Sequence, residues 1–518
     1  MTHPGLAACA AVLALGLAGC GTDPPARDPN LAPAVRGAPN IVLVVVDGMR
    51  GDRAHFMGNP RQTTPNLDAL AAQGVVFERA FSQSNESVTS HAAIFTGRYP
   101  SEVALPDYFT YVVPPEALLI PEALRAVGYA TGGFVAGGHV KAEYGFDQGF
   151  DVYEHGQDFG SFHSTGPLAL RWLEGLDRQR PFFVFLHGYD CHRPYAKGSL
   201  FLHPFTPGEH PTVPGIEDFE AEHALRSFSE SIYDGVYYRG FQHLRAEHAS
   251  GEWVLDPWSY PSMPQLAAAQ AQAGLCEALP LGEQAIHHLT AHYDASVLVA
   301  DTYLGLFVER LQQLGLWEDT LLIVTADHGE DLGDHGYYNH RSGIYDSTTH
   351  VPLLLAGGAL PAAWRGTRRT ELADALDLFP TIMDVAGSVA PTGARGRSLW
   401  AELAGSQVAP KPFSLQQGVL GQTSLRTAEY RLVFSGRLLA DPAYARFLAE
   451  EPIDSGAFAL FHTALDPLEQ VDVLLDQPEQ AQQLRQAAVQ LVSGLEQGTS
   501  AQTPSPESIR AMRDQGYW

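Results

Sequence analysis

The feature that most constrains the fold is an aliphatic run at 41–46 that ends abruptly in Asp47. A continuous β-branched run of this kind is typical of a strand buried on both faces of a parallel sheet. Similar runs recur at 132–136, 182–186, 321–325 and 352–355, with helical patterns between them at 65–73 (capped at Thr64), 121–127 and 283–314. This alternation predicts an α/β fold with a central mixed, mostly parallel sheet flanked by helices. In such sheets, ligands bind beyond the carboxyl ends of the strands.

Two segments interrupt this alternation and divide the chain. Residues 197–282 are rich in His, Pro, Tyr, Phe and Glu without a clean strand, which predicts an insertion that rims the site of a main domain over 39–400. Beyond residue 400, short strand-like pieces at 422–427, 430–434 and 457–463 precede a helical stretch at 478–495. We therefore expect a small antiparallel C-terminal subdomain over 401–518, with a tail helix from Ser505 that packs on the body.

The first twenty residues have the pattern of an export signal. Residues 7–18 are nearly all small and apolar, and the run is too short to span a bilayer. Leu-Ala-Gly-Cys at 17–20 resembles the bacterial lipoprotein box, which implies a signal peptide over 1–20 and lipidation of Cys20; the alternative is an ordinary secretory peptide with an incidental cysteine. Gly21 favours the outer membrane by resemblance to sorting patterns, and residues 21–38 predict a disordered tether.

The net charge limits the classes of partner that the chain can bind. A formal net charge of −27 argues against DNA or RNA as a partner, whereas a local cationic pocket still allows an anionic substrate.

In the body of the chain only Cys191 and Cys276 remain. Export permits a disulfide between them, and two separate buried thiols are an equal alternative.

Two aspartates follow predicted strands and form a candidate metal site. Asp47 ends the first run, and Asp327 comes two residues after the run at 321–325, with His328 next in the chain. If the two strands are neighbours, both carboxylates meet at one edge of the sheet, and with the imidazole they offer the donors of a divalent-metal site. The alternative is that each aspartate is an ordinary cap or turn residue.

The segment 87–97 predicts a helix that begins near Val88 and stops at Gly97. Ser87 would then lie at the helix N-terminus. Free backbone N–H groups and the helix dipole at that point stabilise a bound sulfate or phosphate, and they favour a serine alkoxide beside a metal. The alternative is that Ser87 is only the N-cap residue.

Several motifs, by their order and spacing, resemble the sulfatase family of the alkaline-phosphatase-like superfamily. They are Pro-Asn-Ile-Val-Leu-Val-Val-Val-Asp at 39–47, Thr-Pro-Asn-Leu-Asp at 64–68, Thr-Gly-Arg-Tyr-Pro at 96–100, Tyr-Gly-Phe-Asp-Gln-Gly-Phe-Asp at 144–151, Phe-Phe-Val-Phe-Leu at 182–186, Asp-His-Gly-Glu at 327–330 with Val-Pro-Leu at 351–353, and Asp-Leu-Phe-Pro-Thr at 377–381. The resemblance extends from about residue 39 to 396 and more weakly to the end.

This resemblance implies a set of site residues. One divalent metal ion would be held by Asp47, Asp327 and His328, beside Ser87 as the nucleophile. Residues expected to contact the substrate or act in catalysis are His139, His192, Arg341 in place of the family's usual lysine, and His340 as a ligand or proton donor. We also assign His91 to substrate binding.

The chain departs from the family pattern in three ways. Formylglycine sulfatases carry a Cys or Ser followed by x-Pro-x-Arg, whereas Ser87 is followed by Val-Thr-Ser-His, which predicts an unmodified serine. Gly48 replaces the second aspartate of calcium sulfatases, and His328 stands where many have asparagine. These two changes shift the expected metal from Ca²⁺ toward Mn²⁺ or Zn²⁺.

The resemblance and these departures imply a hydrolase of an anionic sulfuric or phosphoric ester, with a phosphoester slightly favoured, on the periplasmic or outer face of a bacterium-like cell. One alternative is a transferase that moves a phospho-head-group within the cell envelope, releasing the Ser87 adduct to an alcohol instead of water. The other is a catalytically inactive binding lipoprotein.

Overall fold

The computed structural model describes residues 37–103, 112–156, 158–193, 263–274, 276–280, 283–341, 343–406, 409–418, 421–435, 444–453 and 456–495, with short pieces at 195, 205, 232–233 and 236–239. The predicted signal peptide with Cys20, nearly all of the tether 21–38 and the tail helix from Ser505 lie outside these residues. Within the described part, no helix is both long and apolar enough to cross a membrane.

The strands and helices have the following bounds. The described strands are β1 (Asn40–Val46), β2 (Val75–Phe81), β3 (Ala130–Val135), β4 (Val152–His155), β5 (Phe182–Gly188), β6 (Ile232–Tyr233), β7 (Val236–Arg239), β8 (Glu277–Pro280), β9 (Thr320–Thr325), β10 (His350–Val351), β11 (Leu353–Ala356), β12 (Thr367–Asp374), β13 (Ser414–Gln417), β14 (Gln422–Arg426), β15 (Arg431–Ser435) and β16 (Phe458–Phe461). The described α-helices are α1 (Pro65–Ala71), α2 (Ser87–Thr96), α3 (Pro100–Val103), α4 (Ile120–Ala126), α5 (Phe162–Glu174), α6 (Met263–Gln272), α7 (Glu283–Gln313), α8 (Asp346–Thr349), α9 (Leu378–Val385), α10 (Leu399–Leu403), α11 (Tyr444–Glu450) and α12 (Pro478–Ser493).

The large sheet at the centre of the main domain has nine strands in the described part. The neighbours β4-β3-β5-β1-β9 are all parallel. Next to them β11 runs antiparallel to β9, and β2 pairs antiparallel with β10 and β11 and parallel with β12. The sheet is therefore mixed and mostly parallel, which confirms the predicted fold class.

All five aliphatic runs are strands of this one sheet, namely β1, β3, β5, β9 and β11. Every residue of β5 and β9 is buried, because helices such as α5 cover the faces of the sheet. The sequence did not predict β2 and β12. β2 contains Glu78 and Arg79, and β12 begins with the partly exposed run Thr-Arg-Arg-Thr-Glu, so neither shows an uninterrupted hydrophobic pattern.

A second sheet, β13-β14-β15-β16, is antiparallel throughout and lies after residue 400. This confirms the small antiparallel subdomain. Its apolar core includes Leu425 and Leu432 of the sheet and Leu484 of α12. The sequence did not predict β13, because Ser414–Gln417 is polar at three of its four positions although all four residues are buried.

Three sequence expectations need correction or resolution. The statement that 197–282 contain no clean strand is wrong for the described part, where β6, β7 and β8 form a small antiparallel sheet near α6. These strands of two to four residues are too short to show a period.

Cys191 and Cys276 are not joined by a disulfide. Thr64 stands at the N-cap position of α1, but its hydroxyl donates to Asp68 Oδ1 at 2.9 Å and caps no backbone N–H of the helix.

Candidate active site

The carboxyl ends of β1 and β9 bring Asp47, Asp327 and His328 together. The two strands are parallel neighbours, with Val45 opposite Thr325. One ligand atom of each of the three side chains lies within 4.8 Å of the others, and all three residues are fully buried. No other group of three such side chains is this close in the described residues. The predicted meeting of the two strand ends is confirmed.

Backbone N–H groups orient the Asp327 carboxylate. Its Oδ1 accepts hydrogen bonds from the N–H of His328 at 2.9 Å and from the N–H of Gly48 at 3.1 Å. Gly48 has a φ of 73°, a left-handed conformation that glycine adopts without strain. The second oxygen, Oδ2, is thereby left 3.4 Å from His328 Nε2.

The electrostatics of this group favour a bound cation. Burial, reinforced by the charge of Asp327, raises the pKa of Asp47 well above its ordinary value. Burial also opposes ionisation of Asp327, but His328, His91 and His187 hold its pKa below the ordinary value. Neither oxygen of Asp47, nor Oδ2 of Asp327, has a hydrogen bond of ordinary geometry in the described part. Orphaned buried oxygens beside an imidazole are the donors that a divalent metal satisfies, so these residues fit one.

Two further buried histidines support the carboxylates. His187, in β5 opposite Val45, has Nε2 3.4 Å from Asp47 Oδ2. His91 Nδ1 lies 3.6 Å from Asp327 Oδ2 and 2.7 Å from the backbone oxygen of Ser87. His91 has no exposed surface, and burial lowers its pKa. The structure therefore places His91 against Asp327 and the backbone of Ser87, an arrangement that favours support of Asp327 over direct contact with substrate.

Helix α2 presents Ser87 to the cluster. The helix begins at Ser87 and ends at Gly97, which has a φ of 64° as expected for a C-terminal stop. Ser87 Oγ lies 3.3 Å from His328 Nε2. The serine hydroxyl, the imidazole and the two carboxylates thus converge in one place.

The N-cap of α2 is Glu86 and not Ser87. Its Oε2 accepts hydrogen bonds from the N–H groups of Val88 at 3.0 Å and Thr89 at 3.5 Å. The expectation that free N–H groups at this helix start bind an anion is therefore wrong for these two groups. The sequence did not indicate this cap, because glutamate is not among the favoured N-cap residues.

Glu86 also contacts His139. Its Oε1 lies 3.1 Å from His139 Nδ1, and the backbone N–H of His139 donates to the Tyr189 hydroxyl at 2.8 Å. Burial alone would raise the pKa of Glu86, but the hydrogen bond to His139 and the charges of His139 and Arg341 hold it below the ordinary value. Glu86 therefore holds both the start of α2 and His139, a predicted substrate contact.

His340 and His192 lie beside the cluster. The His340 ring stacks on His328 with centroids 4.2 Å apart, and its centroid is 5.2 Å from that of His192. His340 Nδ1 is 3.2 Å from Glu330 Oε1. Burial, together with the charges of His328 and His192, lowers the pKa of His340 well below its ordinary value. Burial raises the pKa of Glu330 to about 7. Arg341 follows His340 and is partly exposed.

The structure thus adds Glu86, His187 and Glu330 to the residues predicted from the sequence. Glu330 belongs to the quoted motif at 327–330 and could have been assigned from it. His187 directly follows the aliphatic run at 182–186, so a histidine at a strand end was visible. Its approach to Asp47 depends on the pairing of β5 with β1, which the sequence does not specify.

Comparison with known proteins agrees with this fold and site. The family model described as Sulfatase matches residues 39–388. A curated N-acetylglucosamine-6-O-sulfatase of Bacteroides thetaiotaomicron is 23% identical over 406 residues, covering 70% of each chain. A structure solved with its substrate D-glucosamine-2-N,6-O-disulfate superposes with a TM-score of 0.64 at 19% identity, over 89% of this chain and 99% of the other. The phosphonate monoester hydrolase of Agrobacterium radiobacter gives a TM-score of 0.63 at 19% identity, over 88% and 96%.

The family model covers more than half of the chain, so this protein belongs to the sulfatase family. It is accordingly a hydrolase that acts on sulfuric or phosphoric ester bonds. The group formed by Asp47, Asp327 and His328 lies where this fold binds ligands, beyond the carboxyl ends of its parallel strands.

Proposed function

We propose that this chain cleaves its ester with Ser87 as the direct nucleophile and one divalent metal as cofactor. The observation that carries the proposal is the approach of Ser87 Oγ to His328 Nε2, 3.3 Å, within the buried group of Asp47, Asp327 and His328. A Mn²⁺, Zn²⁺ or Ca²⁺ ion held by these three residues would lower the pKa of the serine hydroxyl and neutralise the charge that develops on the transferred group.

The reaction has two steps in this proposal. Ser87 Oγ attacks sulfur or phosphorus, the bond from that atom to the leaving-group oxygen breaks, and a histidine protonates the departing alcohol. The proton that Ser87 loses balances the one that the alcohol gains. Water then attacks the sulfur or phosphorus of the adduct, the bond from that atom to Ser87 Oγ breaks, and Oγ takes up the proton that the water loses.

The side chains around Ser87 bind and orient the substrate. His139, held by Glu86, and His192, beside His340, are proposed to contact the non-bridging oxygens together with Arg341. His91 and His187, which contact Asp327 and Asp47, are proposed to hold the ligand carboxylates and not the substrate.

An unmodified serine favours a phosphoester. Formylglycine is a hydrated aldehyde whose second hydroxyl expels sulfate, and Ser87 has no such group. Its adduct must be released by attack at the central atom, which is easier at phosphorus. Relatives include a sulfatase, and solved neighbours include a phosphonate monoester hydrolase, so both ester classes belong in the test.

The test is a substrate screen with purified protein loaded separately with Mn²⁺, Zn²⁺ or Ca²⁺. We expect turnover of phosphoesters, and Ser87→Ala should reduce it by several orders of magnitude while metal content stays unchanged. Mass spectrometry of the peptide over 84–98 should give the mass of unmodified serine. A loss of about two mass units, from oxidation of the hydroxyl to an aldehyde, would contradict the direct-serine mechanism.

We also propose that the enzyme is exported and held by a lipid on Cys20 at the outer membrane, with its main domain on the periplasmic face. The apolar run at 7–18 and the Leu-Ala-Gly-Cys box at 17–20 support this location.

A further inference from the structure

A short segment that begins with two predicted site residues joins the candidate metal site to the C-terminal subdomain. His340 is stacked on His328, Arg341 follows it, and the segment ends at Asp346, the first residue of α8. The contacts beyond Arg341 are made largely to the four-stranded sheet of the subdomain. The position of Arg341 therefore depends on residues far away in the sequence.

Arg431 of β15 is the centre of these contacts. It is fully buried and donates to the backbone oxygen of Ile344 at 3.1 Å, to Thr349 Oγ1 at 3.2 Å and to Asp346. Its Nε lies 2.7 Å from Glu469 Oε1. One planar guanidinium thus holds the end of the segment by main chain and side chain together.

Two more contacts hold Asp346 to the same subdomain, one from Arg426 and one to Glu469. Arg426 donates to both carboxylate oxygens of Asp346 at 3.2 Å. The backbone N–H of Asp346 donates to Glu469 Oε2 at 2.6 Å. In addition, Ile344 packs against Val433. The end of the segment consequently has little freedom to move relative to the sheet.

The segment is also hydrogen-bonded to the residues that precede Ser87. Asn85, two residues before Ser87, donates its side-chain N–H groups to the backbone oxygens of Gly343 at 2.9 Å and Arg341 at 3.4 Å. The preceding Ser84 donates to the backbone oxygen of Gln417 in β13 at 2.9 Å. The nucleophile segment and the Arg341 segment are therefore both attached to the same small sheet.

We propose that Arg431 is a positioning residue, which sets the distance between Arg341 and Ser87 through Asp346 and Ile344, so that the C-terminal sheet determines how the anionic substrate is bound. This inference rests on the proposed function for its kinetic consequence only. A buried ion network of this kind adds little net stability, because desolvation offsets the attraction. Its benefit here is a fixed geometry.

The test compares Arg431→Gln with a matched control, Arg485→Gln. Arg485 is also a buried arginine of this subdomain, but it donates to the backbone oxygens of Leu448 at 2.7 Å and of Ala449, away from the segment. Both variants lose a buried arginine of the subdomain, although Arg431 also pairs with Asp346 and Glu469, whereas Arg485 donates to backbone oxygens. Only the first loses a contact with the Arg341 segment.

Hydrogen exchange of the metal-loaded protein tests the role of Arg431 without an assay of ester hydrolysis. We expect exchange in peptides covering 340–349 to increase at least tenfold in Arg431→Gln and to stay at the wild-type level in Arg485→Gln. Equal exchange in the two variants would overturn the proposal. Asp346→Asn leaves Arg431 in place and should raise exchange in the same peptides, so the proposal stays testable if Arg431→Gln does not fold.

Kinetics provide the second result. With the ester found in the substrate screen, KM should rise about tenfold or more in Arg431→Gln, with a smaller change in kcat, because substrate binding is the affected step. Arg485→Gln should leave KM unchanged, and a rise equal to that of Arg431→Gln would contradict positioning. If the wild type hydrolyses no ester, the proposed function fails, and the exchange result still decides the role of Arg431.

Discussion

Asp47 is a residue at which the proposed metal binding and the stability of the metal-free protein oppose each other. Its carboxylate is fully buried, and burial together with the charge of Asp327 raises its pKa well above the ordinary value. Without a metal, the folded chain keeps two carboxylates in its interior beside imidazoles, which costs free energy. A ligand that binds only the folded state stabilises it.

We expect Asp47→Asn to abolish tight metal binding and yet to raise the melting temperature of the metal-free protein, by on the order of 2 °C. The amide keeps the shape of the carboxylate and removes its charge. Thermal unfolding with chelator and with added metal measures both effects. Added metal should raise the melting temperature of the wild type and have little effect on the variant. A metal-free variant that melts below the metal-free wild type would contradict this electrostatic account.

Glu86 offers a second prediction for a single residue. Glu86→Gln keeps an oxygen that can cap α2, but it removes the charge that faces His139. We expect turnover to fall about tenfold or more with a stability loss of at most about 1 kcal/mol. The control is Ser161→Ala, which removes the cap of α5, an accepted hydrogen bond from the N–H of His163. That control should lose similar stability and keep its turnover, and unchanged turnover in Glu86→Gln would sink the assigned role.

At the scale of elements, α1 takes its cap from another helix. Asp301 of α7 accepts from the backbone N–H of Asn66 at 3.0 Å and of Leu67 at 2.8 Å. Burial raises the pKa of Asp301 to about 6 in spite of these hydrogen bonds. The junction between α1 and α7 therefore depends on a carboxyl group that binds its proton more tightly in the folded state than in the unfolded one.

The raised pKa of Asp301 predicts that its contribution to the stability of the protein decreases as the pH rises. Between the unfolded pKa of about 4 and the folded pKa of about 6, the folded state binds more protons at Asp301, so its contribution to stability falls as the pH rises. We compare the free energies of unfolding of the wild type and Asp301→Asn. The value for the wild type should decline relative to that of the variant by up to about 3 kcal/mol across this window, and the difference should stay level above it. Denaturant unfolding of both proteins from pH 4 to 7 measures it. A difference that does not change with pH would disprove the assignment.

At the scale of the whole molecule, the nine-stranded sheet and the four-stranded sheet position different parts of the proposed active site. The large sheet brings the proposed metal ligands and Ser87 together, and the small sheet holds the Arg341 segment through Arg431. The net charge of −27 is a sum over the whole chain, whereas histidines and an arginine are concentrated around the candidate site. An anionic substrate can therefore bind an acidic protein, because short-range contacts outweigh a screened distant field.

The proposed anchor gives a prediction for the intact chain in a bacterial host. Cys20→Ala should shift the protein from the membrane fraction to the soluble fraction nearly completely, because the acyl chains supply the membrane affinity. Fractionation followed by immunoblotting measures this. Cys276→Ala is the matched control and should stay with the membrane. Equal membrane association of the two variants would refute the lipid anchor.

Several features of the site were visible in the sequence because they are local. An aliphatic run that ends in Asp47 predicts a buried strand with a carboxylate at its end, and the succession Asp327-His328 predicts two donors side by side. Gly97 predicted the helix end, since the left-handed conformation there favours glycine. These inferences require only the geometry of a strand or a helix.

The sequence by itself determined the fold class, the candidate metal-binding group and the position of Ser87 at the start of a helix, because periodicity and adjacent residues specify them. Only the tertiary structure decided that Glu86 caps α2 and contacts His139, that His187 approaches Asp47, and that Arg431 holds the Arg341 segment. Each of these contacts joins side chains through strand pairing, helix packing or loop conformation. The register between β1 and β5 and the docking of the small sheet arise from the packing of the whole chain, and no local pattern encodes them.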